Sequence, residues 1–420
     1  MPMQSMLADP GLAAEGRRKI DFAARWMPVL RRVEQDLAAT RPLAGLRIAA
    51  CLHVTPETAN LCRALVAGGA ELALCASNPL STKDEVAAAI AADLGVAVFA
   101  VHGCDRDTFY RQVEGALAID PNFVVDDGAD LTARLHADHP DRAGRVVGGT
   151  EVTTTGVVRL RNMAAAGALR HPMVAVNDAR TKHLFDNRYG TGQNTVDGIL
   201  RATNILLAGS AFLVVGYGWC GRGIAMRARG MGARVLVAEV DAVKVLEAVM
   251  DGFQVLPVAD AIAQADVVVT ATGNRDVIRV EHLLAAKPGA IMCNSGHFDV
   301  ELDMARLRGV ATAATTVRPE VVEYRLPGGG HVVVLAEGRL VGQSCAEAHP
   351  AAIMDLGFST NALAVERLAT DPAAFPPGVH QVPGDIDARV ARFKVAALGV
   401  AHDQLTDDQA AYLASWTAGT

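Results

Sequence analysis

The sequence predicts an α/β protein built of two doubly wound, Rossmann-like domains, followed by C-terminal helices. Short runs of β-branched residues alternate with Ala- and Leu-rich stretches of helical length almost from one end to the other. Such apolar strands between helices are typical of parallel sheets that are covered on both faces. The 39 glycines and the low aromatic content of 5% suit the many tight turns between strands and helices that this class needs. A length of 420 residues allows two or three domains.

The composition of the chain limits the classes of partner and the cellular location that we expect. Acidic residues outnumber basic ones by 46 to 39, which gives a formal charge of −7, so we expect neither nucleic acid nor a membrane surface as a partner. No apolar run reaches the roughly 18 residues of a membrane helix, and the N-terminus lacks the pattern of a signal peptide. The seven cysteines are scattered without C-x-x-C spacing. We therefore expect a cytoplasmic protein with no disulfide framework and no metal site.

The first half of the chain carries six predicted strands. A helix over 20–37 precedes them, and helices over 57–67 and 84–94 separate the first three. This alternation predicts one parallel sheet. The strands are predicted at 47–52, 71–75, 96–101, 122–127, 145–149 and 173–178.

The alternation restarts in the second half of the chain. A helix over 190–207 joins the two halves and is a candidate hinge, while a proline-rich loop over 371–385 and two helices close the chain. The strands of this half are predicted at 211–215, 234–239, 267–272 and 290–294.

The strongest local motif is a glycine-rich turn, GYGWCG over 216–221, which lies between the strand at 211–215 and a predicted helix. Its glycines allow the backbone to approach a pyrophosphate, and the N-terminus of the following helix stabilises the phosphate charge. Glu239 ends the next strand, 23 positions after Gly216, where a carboxylate binds ribose hydroxyls and repels a 2′-phosphate. The pattern predicts bound NAD in preference to NADP, and the alternative is a tight turn without a ligand.

Polar residues cluster at the predicted carboxyl ends of the other strands, which is the edge where doubly wound sheets bind ligands. Two such segments should face the same cofactor as the glycine-rich turn, namely TATG over 270–273 and NSGH over 294–297. In the second of them, His297 is a candidate for contact with nicotinamide or substrate. The corresponding residues of the first half are His53, Thr55, Asp126, Asp127, Thr153, Thr154, Thr155, Asn177 and Asp178.

Several of these residues have simpler alternatives. Lys182 and Asp186 share a helical face at i,i+4 spacing, so an exposed ion pair is an alternative to a catalytic pair. The adjacent carboxylates Asp126 and Asp127 are also suitable helix caps. His297 could be a loop histidine that is paired with the backbone.

The ordered motifs of the chain resemble those of the adenosylhomocysteinase family from about Trp26 to Leu413. The chain is more similar to the shorter, archaeal-type branch, because it has Trp219 and Cys220 in the glycine-rich turn and Thr191 after YG. The matching motifs are HVTPETA (53–59), NPLSTKD (78–84), DDGADL (126–131), TTTG (153–156), NDARTKHLFDNRYG (177–190), GYGWCGRG (216–223), GHFDVE (296–301), LAEGRLV (335–341) and HP (349–350).

The resemblance implies an enzyme that reversibly hydrolyses S-adenosyl-L-homocysteine to adenosine and L-homocysteine, with an NAD that is regenerated in each turnover. In this family the 3′ hydroxyl of the ribose is oxidised, homocysteine is eliminated, water adds, and the ketone is reduced again. The resemblance also implies a homotetramer of two-domain subunits. Residues 1–188, completed by about 346–395, would form the substrate-binding domain, 189–345 the NAD-binding domain, and 396–420 a helical tail. A redox cofactor beside acid–base groups agrees with the motifs themselves.

The resemblance assigns a role to each motif residue. Lys182 and Asp186 would serve the 3′ oxidation, while His53 and Asp127 would move protons at the 4′ and 5′ carbons, with His297 beside them. The residues implied for substrate binding are Thr55, Glu57, Asp127, Lys182, Asp186 and His349. The residues implied for NAD binding are Thr153, Thr154, Thr155, Asn187, Gly216, Gly218, Trp219, Cys220, Gly221, Arg222, Gly223, Glu239, Thr272, Ser295, Gly296 and His297.

The chain also departs from the family pattern. Val152 stands where the family has a second glutamate, Gly342 where it has an asparagine that contacts the cofactor, and Ala348 where it has a glycine. Lys244 and the absence of a Lys/Tyr tail match the shorter branch. The first three differences leave open a paralogue that acts on another 5′-substituted nucleoside, such as S-inosylhomocysteine or an intermediate of nucleoside biosynthesis, or a weakened NAD-binding regulatory protein. The retained acid–base residues disfavour the regulatory protein.

Glu57 predicts which base the site accepts. An ionised carboxylate only accepts hydrogen bonds; the exocyclic amine of adenine donates one, whereas inosine presents a carbonyl at that position. We therefore expect a preference for the adenosyl substrate. The alternative is that Glu57 only caps the helix that follows His53.

Overall fold

The computed structural model describes residues 3–417, and within them six strands of the first half of the chain and one strand near its C-terminal end form a sheet of seven parallel strands. The spatial order is β15-β6-β5-β4-β1-β2-β3. Its central strands are apolar and buried on both faces, as the alternation with helices predicts. The strands are β1 Arg47–Leu52, β2 Glu71–Ala76, β3 Ala97–Phe99, β4 Phe123–Asp126, β5 Gly148–Glu151, β6 Pro172–Ala175 and β15 Gly378–Gln381.

The second sheet has the order β12-β13-β14-β11-β10-β7-β8-β9 within the described residues. Strands from β14 to β9 in this order run parallel, while β13 is antiparallel to both of its neighbours. The strands are β7 Ala211–Val215, β8 Arg234–Ala238, β9 Gln254–Val255, β10 Val267–Thr270, β11 Ala290–Asn294, β12 Ala313–Arg318, β13 Val321–Arg325 and β14 His331–Leu335.

Helices cover both faces of each sheet and join the two. The α-helices of the first half are Ala13–Ala24, Pro28–Thr40, Pro56–Ala67, Asp84–Leu94, Arg106–Leu117, Asp130–Asp138, Pro140–Ala143, Thr154–Ala165 and Arg180–Lys182. A π-helix, His183–Gly190, leads into the α-helix Thr191–Thr203. The remaining α-helices are Trp219–Gly230, Ala242–Met250, Val258–Ala261, Val280–Ala285, Met304–Val310, Val341–Ser344, Ala351–Thr370, Gly384–Ala397 and Asp407–Ala414. Among the helices of residues 3–417, none is both long and apolar enough to cross a membrane.

The predicted fold class is confirmed, and three local predictions are corrected. The N-terminal helix is two helices, because Pro28 lacks an N–H and begins a new helix after a break at 25–27. The strand predicted at 145–149 is Gly148–Glu151. The proline-rich loop contains a short strand, Gly378–Gln381, which pairs with β6 at the edge of the first sheet.

Two segments carry the chain between the sheets. The π-helix and helix Thr191–Thr203 lead from the first sheet to the second, and the chain returns through Val341–Ser344 into helix Ala351–Thr370. That last helix packs against β5 and helix Pro28–Thr40 of the first sheet. The residues of both connecting segments therefore lie between the two sheets.

Candidate active site

A continuous cavity of about 1380 Å³ lies between the carboxyl ends of the two sheets. Loops of the first sheet contribute His53 and Asp127 to its wall, and loops of the second contribute Thr272 and His297. A ligand in this cavity would contact both sheets. The other predicted site residues that line it are Thr55, Glu57, Thr153, Thr154, Thr155, Lys182, Asp186, Asn187, Gly216, Gly218, Trp219, Cys220, Arg222, Glu239, Ser295, Gly296 and His349.

Two histidines flank the Asp127 carboxylate at one point of this wall. Asp127 Oδ2 lies 3.5 Å from His53 Nε2, and Asp127 Oδ1 lies 3.6 Å from His297 Nδ1. Ser77 Oγ lies 3.0 Å from His53 Nδ1 and so fixes the other edge of that ring. Burial lowers the pKa of His53 to about 4, so this imidazole is neutral near pH 7 and can accept a proton.

The same three residues could hold a metal ion. Donor atoms of His53, Asp127 and His297 lie within 4.8 Å of one another, and imidazole with carboxylate is a common ligand set for transition metals. The expectation that the protein uses no metal stays a prediction.

The neighbouring carboxyl groups Asp126 and Glu151 support the loop that presents Asp127. Asp126 accepts hydrogen bonds from the backbone N–H groups of Asp127 and Thr132, at 3.2 and 2.7 Å, so the capping alternative applies to Asp126 alone. Glu151 accepts the N–H groups of Gly128 and Thr153 at 3.0 and 2.8 Å. Sequence reasoning did not identify the role of Glu151, although its position two residues before Thr153 was a usable signal.

Lys182 is the centre of a buried polar cluster. Its Nζ donates to Asn177 Oδ1 at 3.1 Å and to Asn187 Oδ1 at 2.8 Å, and it pairs with Asp186 Oδ2 at 2.9 Å. Asp186 Oδ1 in turn lies 2.5 Å from His349 Nδ1. Burial alone raises the pKa of Asp186, but Lys182 and His349 outweigh burial and hold that pKa below its usual range. The pair is enclosed in the protein, which contradicts the exposed ion-pair interpretation.

Glu57 is buried at the start of helix Pro56–Ala67 and lines the cavity. Thr55, and not Glu57, caps this helix, because Thr55 Oγ1 accepts from the N–H of Thr58 at 3.4 Å. Glu57 Oε2 has no hydrogen-bond partner, and burial raises the pKa of the carboxyl. This acceptor at the cavity wall is thus free to pair with a donor group of a bound ligand.

The glycine-rich turn is shaped for a close approach between backbone and ligand. Gly216 has a φ of +99°, and a Cβ there would lie 2.8 Å from the carbonyl oxygen of Ala271. A Cβ on Gly218, the N-cap of helix Trp219–Gly230, would meet only open space. The N-terminus of this helix therefore faces the cavity, where its N–H groups can bind an anion.

Two glycines of the motif, Gly221 and Gly223, lie behind the cavity wall. A Cβ on Gly221 would collide with the carbonyl of Gly216, and a Cβ on Gly223 would collide with the carbonyl of Arg188. These two positions allow the helix to pack against the turn and against the connecting π-helix. They support the proposed cofactor site from behind and do not line it.

Glu239 closes the other side of the turn. Its Oε2 accepts from Tyr217 N at 2.7 Å, and its Oε1 accepts from Val240 N and Asp241 N at 2.6 and 3.0 Å. Burial raises the pKa of Glu239, but these backbone donors outweigh burial and lower it. The carboxylate is thus ionised and held in one orientation beside the cavity.

The cavity walls fit a dinucleotide. The open glycine turn and the helix N-terminus suit a pyrophosphate, and Glu239 suits ribose hydroxyls. At its other end the cavity is bordered by Thr155 of the first sheet. Thr155 Oγ1 would lie 3.5 Å from a Cβ on Gly273, so the segment TTTG (153–156) faces the loop that follows β10 in the second sheet. Ser295 Oγ is held 2.8 Å from Thr195 Oγ1 in the same wall.

Glu301 is a further buried carboxyl group that sequence reasoning did not assign. It accepts hydrogen bonds from Thr272 N at 2.9 Å, Thr272 Oγ1 at 2.6 Å and Gly273 N at 2.8 Å. Burial raises the pKa of Glu301. Its position at the end of GHFDVE (296–301) was the available signal, and its effect is to fix the loop after β10 that faces the cofactor site.

The three departures from the family pattern also lie at this cavity. Val152 is buried and lines the wall next to Thr153. Gly342 lines the wall in the returning segment, and Ala348 precedes His349 with a left-handed φ of +75°.

Two family models match the chain. The model described as S-adenosyl-L-homocysteine hydrolase matches residues 4–144, and the model for the NAD-binding domain of that enzyme matches residues 187–348.

Curated relatives match along nearly the whole chain. An adenosylhomocysteinase of Gloeobacter violaceus is 54% identical over 97% of this chain and 96% of its own length, and one of Aquifex aeolicus is 53% identical over the full length of both. An S-inosyl-L-homocysteine hydrolase of Methanopyrus kandleri is 50% identical over 99% of this chain and 98% of its own. The two-sheet fold, the NAD-binding wall and these relatives agree, and the chain belongs to the S-adenosyl-L-homocysteine hydrolase family.

Proposed function

We propose that the protein reversibly hydrolyses S-adenosyl-L-homocysteine to adenosine and L-homocysteine with an internally recycled NAD. One observation carries this proposal: the cavity joins a dinucleotide-binding wall to the Lys182–Asp186 pair and to the His53–Asp127–His297 cluster. A protein that only bound NAD would need neither buried acid–base group.

The Lys182–Asp186 pair acts at the 3′ hydroxyl of the ribose. When bound, NAD supplies a hydride acceptor at the 3′ carbon and later returns the hydride. Asp186 holds Lys182 Nζ at the cavity wall, where the amine can take and return the hydroxyl proton. Asn187 orients the same Nζ from the other side.

The histidine–aspartate cluster acts at the 4′ and 5′ carbons. Oxidation at the 3′ carbon acidifies the hydrogen on the 4′ carbon, and the neutral His53 imidazole is suited to move a proton there or at the leaving thiolate. Asp127 stabilises the imidazolium that forms, and His297 stands on the opposite side of Asp127. Thr55, Glu57 and His349 would bind the base and close the pocket around it.

The ranges of the two sheets support a division into a substrate-binding domain, 1–188 with about 346–395, and an NAD-binding domain, 189–345. All strands of the first sheet fall within the first set of residues, and all strands of the second sheet fall within the second. We further propose a cytoplasmic homotetramer. Helix Ala242–Met250 exposes an apolar face, including Leu246 and Met250, and Trp416 of the tail is 94% exposed. Such surfaces are typical of subunit contacts.

The decisive experiment is to incubate the purified protein with S-adenosyl-L-homocysteine, without added NAD, and to titrate the free thiol. We expect catalytic release of thiol, and heat-denatured protein should release NAD or NADH. Absence of thiol, or a stoichiometric demand for added NAD, would refute the proposal. S-inosylhomocysteine is assayed in parallel, because a relative carries that activity in its name and Val152 alters the pocket wall.

A further inference from the structure

The two connecting segments touch each other through glycines. A Cβ on Gly198 would lie 2.7 Å from the carbonyl oxygen of Val341, so helix Thr191–Thr203 and the short helix Val341–Ser344 are in backbone contact. One turn earlier in the first of these helices, the side chain of Asn194 lies over Gly342, and a Cβ on Gly342 would collide with it. A side chain at 342 would therefore displace the Asn194 amide from its present position, and Gly342 leaves room for it.

The Asn194 amide faces two carbonyl groups. With its nitrogen towards them, Nδ2 donates to Gly342 O at 2.8 Å and to Ala348 O at 3.2 Å. The opposite orientation would place oxygen against oxygen, so the surroundings dictate which atom is the donor. Asn194 is buried and lines the cavity. One side chain of the outgoing segment thus ties both ends of the returning stretch 342–348.

The second of these hydrogen bonds ends at a strained residue. Ala348 has a φ of +75°, which a side chain rarely adopts and which the surroundings must enforce. The next residue is His349, whose Nδ1 lies 2.5 Å from Asp186 and whose Nε2 lies 3.5 Å from Thr191 Oγ1. The direction of the peptide between 348 and 349 decides where this imidazole lies.

We propose that Asn194 is a positioning residue that holds the 342–348 stretch and thereby sets His349 against Asp186 for substrate binding. The inference rests on the proposed function, because His349 is placed there in the substrate pocket. Asn194 acts on substrate through His349 and not through chemistry of its own.

The test is a double-mutant cycle on the full-length, NAD-loaded enzyme with S-adenosyl-L-homocysteine. Asn194→Asp keeps the shape of the side chain but removes the donor, and we expect KM to rise about tenfold or more because two buried carbonyls lose their partner. In a His349→Ala background the same change should raise KM by less than about threefold, since contacting residues couple in such cycles. Asn162→Asp, at an exposed position, is the matched control and should leave KM unchanged.

The outcomes separate the inference from the proposed function. An inactive wild-type protein refutes the function itself. An active wild type with equal effects of Asn194→Asp in both backgrounds overturns the inference, as does a loss of bound NAD without a rise in KM. If Asn194→Asp fails to fold, Asn194→Ala and Gly342→Ala replace it: each should raise KM, and the double variant should raise KM no further than Asn194→Ala alone, because both changes break the same contact between residue 194 and the 342–348 stretch. Effects on KM that multiply in the double variant overturn the inference.

Discussion

Glu57 offers the sharpest test of substrate choice, through the substitution Glu57→Gln. Glu57 is 7% exposed and lines the cavity, and its Oε2 has no hydrogen-bond partner. An ionised Glu57 can only accept, so it matches the exocyclic amine of adenine and opposes the carbonyl of inosine. A glutamine amide can turn its NH₂ group towards that carbonyl, so the substitution removes the conflict without changing the size of the side chain.

The unpaired acceptor sets the magnitude of this selectivity. Leaving a buried polar group unsatisfied costs about 1–3 kcal/mol, or roughly five- to hundredfold in specificity. We expect the wild-type kcat/KM to favour S-adenosylhomocysteine over S-inosylhomocysteine by that factor, and Glu57→Gln to lower the ratio about tenfold. Glu347→Gln is the control, because it removes an exposed carboxylate near Glu57 without altering the cavity wall. Equal wild-type constants, or a ratio unchanged by Glu57→Gln, would refute the argument.

Three further predictions follow from the same geometry. Because burial raises the pKa of Glu57, its protonated form gains a donor as the pH falls, so the adenosyl-to-inosyl ratio should decrease towards acid pH; a ratio that is flat with pH contradicts this assignment. Lys182→Ala and Asp186→Ala should abolish the single-turnover rise in NADH absorbance, since we propose that the pair acts at the 3′ hydroxyl, and a normal rise in either variant would leave the pair with a structural role alone. Gly221→Ala should lower the NAD content of the purified protein, because the Cβ would collide with the Gly216 carbonyl; full NAD occupancy measured after heat release would show that the turn can move.

The pattern of apolar residues was sufficient to predict two parallel sheets, but it did not predict the strands at the edges of those sheets. Buried strands such as β1 and β7 have uninterrupted apolar runs that predict them directly. Strand β12, Ala313–Arg318, is exposed along its whole length and exists only because β13 pairs with it. Strand β15 is likewise held by β6 within a proline-rich stretch. Pairing partners that are distant in sequence determine such edge strands, and local patterns do not record them.

The sequence predicted those residues of the candidate site that directly follow a strand. Parallel strands end at one edge of their sheet, so His53, Asp127 and Glu239 could be assigned to a ligand-facing edge from their positions alone. The supporting groups Glu301 and Asn194 escaped this reasoning, because their partners are backbone groups of loops remote in sequence. Which of two adjacent carboxylates enters the cavity also depended on the fold, since Asp126 turns away to cap a helix.

The exposed ion-pair interpretation of Lys182 and Asp186 assumed an ordinary α-helix, and the structure shows why that assumption fails. Residues His183–Gly190 form a π-helix, in which the N–H of Thr191 bonds to the carbonyl of Asp186, five residues earlier. This wider turn brings residue i+5 back beside residue i, so Lys182 meets Asp186 at i+4 and Asn187 at i+5 together. An α-helix would point the amide of Asn187 away from the amine. The π-helix thus gives Lys182 Nζ a carboxylate partner and an amide partner from one short segment, on the link between the two sheets that border the cavity.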